Sequence, residues 1–156
     1  MSETPAGTAA PPPSDPAKAL DLLDRFAIPF SAAAPAGSIR VSTLLLLART
    51  HDEQIVLYFG RRAARADFRA LARRLRFSHL TLARRTDVRD VFEQRLPTLS
   101  PLSLFRCKVF PVVIAAALMR APALGFRLGH GRHVWLAPSA LRLLIRRMGF
   151  SLTPFP

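Results

Sequence analysis

The sequence predicts an α/β protein, a single compact domain in which helices pack against a central mixed, largely antiparallel sheet. The chain has 156 residues, half of them hydrophobic, which suits one domain with a substantial core. Stretches typical of strands alternate irregularly with amphipathic helices along the chain. Both hairpins and longer crossovers are needed to connect these strands, and this combination favours a mixed sheet.

The first 15 residues differ in composition from the rest of the chain. They read MSETPAGTAAPPPSD, a stretch rich in proline and small residues with little that can pack in a core. Such a composition is typical of disorder. We therefore expect a disordered Pro-rich tail over residues 1–15 and a folded domain over residues 16–156.

Four helices are predicted from apolar residues that recur on one helical face. Proline in the first turn of the first and last helices agrees with this prediction, since proline is tolerated there. The predicted helices are AKALDLLDRF after Pro16, ADFRALARRL from Ala66, TDVRDVFEQ from Thr86 and PSALRLLIRRM from Pro138.

The strands are predicted from short apolar or alternating runs. Residues 40–49 and 55–60 read as two antiparallel strands joined by a hairpin across HDEQ, and the run of four leucines indicates a strand covered on both faces. A second hairpin is expected across the turn GHGR. The remaining strand-like stretches are residues 28–31, FSHLTLA, VFPVVI, GFRL and HVWLA.

Residues 96–105, LPTLSPLSLF, form a stretch that is apolar, rich in hydroxyls and interrupted by two prolines. Proline neither continues a helix nor donates to a β ladder. We therefore expect a stiff, irregular loop that could form one wall of a pocket.

Basic residues far outnumber acidic ones. Lys and Arg total 23 against 10 Asp and Glu, which gives a net charge of +13, and 21 of the basic residues are Arg. Such a charge favours a polyanionic partner, and the guanidinium fork suits phosphate. A solvated basic surface with no nucleic-acid partner is the alternative.

On the second predicted helix, Arg69, Arg73 and Arg76 follow i, i+4, i+7 spacing and form a stripe opposite the apolar face. Such a stripe could follow an RNA backbone, because phosphate contacts position the partner without reading its sequence. The alternative is a solvent-facing helix that uses arginine for solubility. The predicted RNA-binding residues are Arg61, Arg62, Arg65, Arg69, Arg73 and Arg76.

Several other functions find little support in the sequence. The one cysteine, Cys107, excludes an internal disulfide and fits a reducing compartment. No apolar run reaches the roughly 20 residues of a membrane span, and the N-terminus lacks the order of a secretory signal. The four histidines predict neither a metal site nor a catalytic relay. We therefore expect a cytoplasmic protein with no cofactor, no metal and no membrane partner.

Five stretches, in order along the chain, resemble motifs of one family. LLDRFAIPF is similar to its opening helix and IPY strand, VSTLLLLA to its KTL strand, and RADFRALARRLRFSHLTLA to its next helix and strand. TLSPLSLF is similar to its GGISPLG loop, and GFRLGHGRHVWLAPSALRLLI to its Gly-rich hairpin and last helix. Over residues 17–150 the chain resembles the YbaK/ProX-type aminoacyl-tRNA deacylases, which include the editing domain of bacterial prolyl-tRNA synthetases.

The resemblance implies a trans-acting deacylase that hydrolyses the ester joining a wrong amino acid to the 3′ end of tRNA, without a metal or cofactor. It implies tRNA as substrate and an aminoacyl-tRNA synthetase as a further partner. The catalytic positions carried over from the family are Ser42, Thr43, Ser100 and Pro101. The substrate pocket carried over in the same way contains Phe30, Leu99, Ala115, Gly129, His130 and Gly131.

Such an ester is already activated, so catalysis can depend on a positioned water and on donors to the developing oxyanion. The chain departs from the family at three polar positions, however. The family's Lys is Ser42 here, its Tyr is Phe30 and its Asp is Ala115. Arg40 shares the side of the strand with Ser42 and could replace the cation.

These departures leave two alternatives open. The first is a noncatalytic RNA-binding or tRNA-binding homologue that retains the fold and has lost the catalytic Lys. The second is a role in binding a small molecule or another protein.

Overall fold

The computed structural model describes residues 16–48, 54–62, 65–92, 99–105, 110–129 and 131–156. The predicted tail of residues 1–15 lies outside them. The helices are α1 (Pro16–Arg25), α2 (Phe68–Leu75), α3 (Arg85–Phe92) and α4 (Pro138–Arg147), and two short 3₁₀ helices span Pro101–Leu104 and Ala116–Arg120. The strands are β1 (Ile39–Ala48), β2 (Gln54–Arg61), β3 (Leu80–Leu82), β4 (Val112–Ala115), β5 (Leu124–Gly129), β6 (Arg132–Leu136) and β7 (Leu152–Phe155).

The seven strands of the described residues belong to one mixed sheet, which confirms the predicted fold class. The strand order is β6-β5-β1-β2-β4-β7, and β3 pairs with β1. Strand β1 runs antiparallel to β2 and β3, and β5 runs antiparallel to β6. The pairs β1–β5, β2–β4 and β4–β7 are parallel. Both predicted hairpins are therefore present.

The sheet separates two hydrophobic cores, as the apolar run in β1 predicts. Leu45 belongs to a larger core on one face, and its neighbour Leu46 belongs to a smaller core on the other. Successive side chains of a strand point to opposite faces, so a strand with a core on each side needs apolar residues at consecutive positions.

The helices divide unequally between these two faces. Apolar side chains of α1, α3 and α4 pack in the larger core, where Leu23, Leu141 and Leu144 are fully buried. Helix α2 packs on the smaller core through Leu71 and Ala72. Its N-terminus is capped by Asp67, whose carboxylate accepts a hydrogen bond from Ala70 N at 3.0 Å.

Two details of the strands differ from the sequence prediction. The extended stretch expected over residues 28–31 contributes only an isolated antiparallel bridge between Ser31 and Trp135. Strand β7, which contains Pro154, has no counterpart among the predicted strands. It lies at the end of the strand order, where proline is tolerated.

Strand β1 has two different neighbours on the edge that faces away from β2. Ile39 and Arg40 pair with β5, whereas Leu46, Leu47 and Ala48 pair with β3. The central part of β1 therefore lies where these two neighbouring strands diverge. Ser42 and Thr43 occupy this central part.

Candidate active site

Two positions that the family resemblance singles out lie in one row across the sheet. Ser42 of β1 is the register partner of Gly60 of β2. The parallel ladder between β2 and β4 pairs Phe59 with Ile114, so the next residues, Gly60 and Ala115, lie side by side. We call Ser42, Gly60 and Ala115 the Ser42 row. It lies on the face of the smaller core, and Ser42 and Ala115 are both half-buried.

Two arginines follow the Ser42 row on the same face. Arg62 N donates a backbone hydrogen bond of 3.4 Å to Arg40 O, which continues the β1–β2 ladder beyond the row. By period-two alternation, the side chains of Arg40 and Arg62 share the face of Ser42, about 7 Å further along the strands. Both residues are exposed, and neither forms an ion pair with a described residue. Two cations therefore flank Ser42, the position that the resemblance matches to the family's Lys.

Tyr58 covers the middle of the row. A Cβ atom added to Gly60 would lie 2.7 Å from Cε1 of Tyr58 and 3.5 Å from its Cζ, so the phenol ring occupies the space above this glycine. Tyr58 is 6% exposed and belongs to the smaller core. Burial raises the pKa of the phenol above its ordinary value of 10.0, so it is un-ionised at neutral pH.

The other positions assigned to catalysis lie on the opposite side of the sheet. Thr43 alternates with Ser42 and shares the face of Val41 and Leu45, which belong to the larger core. The short helix that follows Ser100 packs in the same core through Leu102 and Leu104. Ser42 and the Ser100 loop thus belong to different layers of the fold.

The serines of this loop stabilise it locally. Ser100 Oγ accepts a hydrogen bond from Leu102 N at 3.2 Å, and Ser103 Oγ accepts one from Ser100 N at 3.1 Å. Together they form a capping box on the 3₁₀ helix, with Pro101 at its start. Ser100 and Ser103 are only 6% and 4% exposed. From Leu99 onward, where the structure describes the loop, these two hydroxyls are used within the loop itself.

The remaining predicted pocket residues are scattered. Phe30 and Leu99 are half-buried against the larger core. Gly129 and Gly131 have positive φ values of 95° and 72° at the β5–β6 turn, a conformation that favours glycine. His130 lies outside the described residues. Of the predicted pocket residues, Ala115 alone lies in the Ser42 row.

A separate cleft of about 510 Å³ opens beside this turn. Its lining includes Leu20 of α1, Gly131, Arg132, His133 and Trp135. The rings of His133 and Trp135 stack with centroids 6.1 Å apart and an angle of 23° between their planes. Gly131 is the predicted pocket residue that lines this cleft.

The six arginines predicted to bind RNA are all exposed, namely Arg61, Arg62, Arg65, Arg69, Arg73 and Arg76. Helix α2, which carries Arg69 and Arg73, covers the smaller core and therefore stands on the same face as the Ser42 row. Arg76 ends this helix in a left-handed conformation with φ of 61°. Within the described ranges, none of the six forms an ion pair.

The described part of the chain contains no group of three or more His, Cys, Asp or Glu residues placed to hold a metal ion. None of its helices has the length and hydropathy needed to cross a membrane.

Sequence reasoning missed Tyr58 as a site residue. Its position in the strand IVLYFG is apolar by pattern, and the phenol is part of a core. The one local signal is the glycine two positions later on the same side of the strand, because a strand glycine often marks a close approach.

Comparison with known structures places the fold. A candidate trans-editing enzyme for prolyl-tRNA synthetase superposes with a TM-score of 0.63 at 13% identity, over 88% of this chain and 94% of that one. A candidate signal transduction protein from Marinobacter aquaeolei VT8 superposes with a TM-score of 0.58 at 20% identity, over 87% of this chain but only 30% of that one. At such low identities these similarities show a shared fold.

Comparison of the sequence with protein families identifies the family of this chain, whereas comparison with curated proteins does not. No curated protein matches the chain. Residues 30–144, however, match the aminoacyl-tRNA editing domain family, and this range holds both ends of the Ser42 row and the arginines of α2. The chain therefore belongs to the aminoacyl-tRNA editing domain family.

Proposed function

We propose that this protein is a trans-acting aminoacyl-tRNA deacylase, which hydrolyses the ester of mischarged tRNA. The observation that carries the proposal is the Ser42 row. The positions corresponding to the family's Lys and Asp, Ser42 and Ala115, are neighbours across one glycine on one face of the sheet. Two exposed arginines continue that face, although the family's own polar groups have been replaced.

The reaction needs little from the protein beyond positioning. A water oxygen attacks the ester carbonyl carbon, the bond from that carbon to the ribose oxygen breaks, and the ribose oxygen takes a proton. The products are a free amino acid and tRNA with a free hydroxyl. We assign the Ser42 hydroxyl to hold the attacking water and Arg40 or Arg62 to bind the terminal phosphate, since a guanidinium suits phosphate.

The remaining predicted residues have supporting roles in this proposal. Thr43 holds β1 against the larger core, and Ser100 and Pro101 fix the loop that packs in the same core, so these three stabilise the fold. The exposed arginines of α2 bind the tRNA backbone on the face that carries the Ser42 row. The tRNA substrate, a partner synthetase and a cytoplasmic location follow from the family and belong to the proposal.

The test is to incubate the purified protein with a panel of tRNAs esterified with radiolabelled non-cognate amino acids, including mischarged tRNA for proline. We expect release of amino acid from at least one of them above the rate without protein. The Ser42→Lys variant restores the family residue and should raise this rate.

Two results would contradict the proposal in different ways. Salt-sensitive tRNA binding without release, in the wild type and in Ser42→Lys alike, would favour the noncatalytic tRNA-binding homologue. The replacement of the family's Lys by Ser42 is the observation that favours this second candidate. A protein that neither releases amino acid nor binds tRNA would have neither function.

A further inference from the structure

At two of the family's polar positions this chain has Ser42 and Ala115, and the structure shows a polar residue of a different strand between them. Tyr58 reaches along β2 and covers Gly60, which lies between Ser42 and Ala115. Its ring fits there because residue 60 has no side chain. An alanine would bring its Cβ to 2.7 Å from Cε1 of Tyr58, closer than packed atoms approach.

The ring direction determines where the hydroxyl lies. Tyr58 starts beside Leu44, and its ring extends along β2 over Gly60, in the direction of the ladder end where Arg40 and Arg62 pair. The carbon that bears the hydroxyl, Cζ, is 3.5 Å from where a Cβ of residue 60 would lie. The hydroxyl, which is bonded to this carbon, therefore lies close to Gly60, although the ring belongs to the apolar core.

The hydroxyl is also free to bind a ligand. Tyr58 forms no hydrogen bond with a described residue, whereas buried polar side-chain atoms in the described part of the chain all have partners. The Tyr58 hydroxyl, which has no such partner, is therefore not fully buried. An un-ionised phenol in this position is a hydrogen-bond donor held on a rigid strand.

We propose that Tyr58 is a catalytic residue of this protein, whose hydroxyl donates a hydrogen bond to the carbonyl oxygen of the aminoacyl ester. This inference rests on the proposed deacylase function. When water attacks the carbonyl carbon, negative charge develops on the carbonyl oxygen, and a preorganised donor stabilises it. The phenol keeps its proton throughout, so the balance of the hydrolysis is unchanged.

The first experiment uses Tyr58→Phe, which keeps the ring and removes only the hydroxyl. With the mischarged tRNA that the wild type hydrolyses fastest, we expect kcat to fall about a hundredfold, as for removal of one oxyanion donor, with KM unchanged. Thermal unfolding should show that the variant is folded.

The matched control is Thr153→Val. Thr153 lies in the same row as Tyr58, because Val113 is the register partner of both residues. It is exposed on β7, two strands away. Removing this hydroxyl should leave kcat unchanged.

The second experiment needs no turnover. Tyr58 is the only tyrosine in the chain, so labelling with 3-fluorotyrosine gives a single ¹⁹F signal from this position. Adding tRNA whose amino acid is joined by a non-hydrolysable amide should shift that signal, whereas uncharged tRNA should shift it less. A merely structural tyrosine would show no such difference.

A third variant tests the geometry. Gly60→Ala should displace the ring and lower kcat, and adding it to Tyr58→Phe should lower kcat no further, since both changes remove the same hydrogen bond.

The outcomes separate the two proposals. If the wild type hydrolyses mischarged tRNA and Tyr58→Phe is equally fast, the role of Tyr58 is wrong while the deacylase function stands. If the wild type hydrolyses no member of the panel, the deacylase function fails and the inference falls with it.

Discussion

Ser42 and Ser100 are both catalytic positions by family resemblance, yet their surroundings differ. Ser100 is 6% exposed, and its hydroxyl caps a 3₁₀ helix that packs in the larger core. Ser42 is half-buried on the opposite face of the sheet, and its hydroxyl makes no hydrogen bond with a described residue. The difference teaches that a hydroxyl in a motif can serve the fold or a ligand, and hydrogen bonding within the chain shows which.

The largest effect is expected from the loop at Ser100. Leu102→Ala removes a side chain that is 2% exposed in the larger core. Truncating a buried leucine leaves a cavity, so the free energy of unfolding should fall by about 2–5 kcal/mol. Urea unfolding followed by circular dichroism measures it, and a decrease below about 1 kcal/mol would mean that the loop is not part of the core.

The next effect concerns the face that carries Ser42. In the double variant Arg69→Gln/Arg73→Gln, tRNA affinity should fall, and the slope of log K against log salt should weaken by about 0.9 for each duplex phosphate that the protein no longer neutralises. The matched control is Arg146→Gln/Arg147→Gln, because these exposed arginines are on α4, which packs on the other face. Equal decreases in tRNA affinity in both double variants would show that tRNA binding depends on the total positive charge and not on the face that carries it.

A smaller effect is expected from the cap itself. Ser100→Ala removes the acceptor for Leu102 N, so the free energy of unfolding should fall by about 1 kcal/mol. The exposed Ser151, changed to Ala, serves as control. The kcat per folded molecule should change little, and a fall like that of Tyr58→Phe would place Ser100 at the ester after all.

For Ser42→Ala we expect the opposite of Ser100→Ala: hydrolysis should change and stability should not. Since this hydroxyl has no described partner, the free energy of unfolding should stay within about 0.5 kcal/mol of the wild type. Hydrolysis of mischarged tRNA should nevertheless slow, because the water is held less well. A destabilised variant with normal kcat would show that the Ser42 hydroxyl serves the fold, as the Ser100 hydroxyl does, and would contradict the prediction.

The smallest effect depends on pH. The pKa of Tyr58 is raised in the fold by burial, so the folded state holds the phenol proton more tightly than the unfolded chain. This contribution to stability is present below pH 10.0 and is lost as the pH rises through the higher pKa of the folded state. The wild type should therefore lose stability relative to Tyr58→Phe in alkaline buffers, and parallel pH profiles would contradict this.

Much of the fold was predictable because the apolar pattern within a short segment identifies many of its elements. The apolar periodicity of α1, α2 and α4 and the consecutive apolar residues of β1 and β2 each identify an element and its buried side. Strand β7 was not predictable in this way, because its pairing with β4 depends on the rest of the sheet.

The site was less predictable for the same reason. Ser42 and Ala115 become neighbours through the register of two ladders, and nothing near either residue encodes that register. Motif matching grouped Ser42 with Ser100, because it cannot show which face of a sheet a segment covers. Tyr58 was not predicted as a site residue, because an aromatic residue in an apolar strand usually belongs to the core. The proposed role of its hydroxyl depends on the position of its ring over Gly60, which only the structure gives.

The two strands that share one edge of β1 have a mechanical consequence. Strand β5 pairs with its beginning and strand β3 with its end, while β2 pairs with Val41 to Ala48 along the other edge. The end of β1 therefore has a paired strand on each edge, whereas Ser42 and Thr43 have a paired strand on one edge only. We expect amide hydrogen exchange to be faster at Thr43 than at Leu47, since fewer neighbouring strands must separate for it to open.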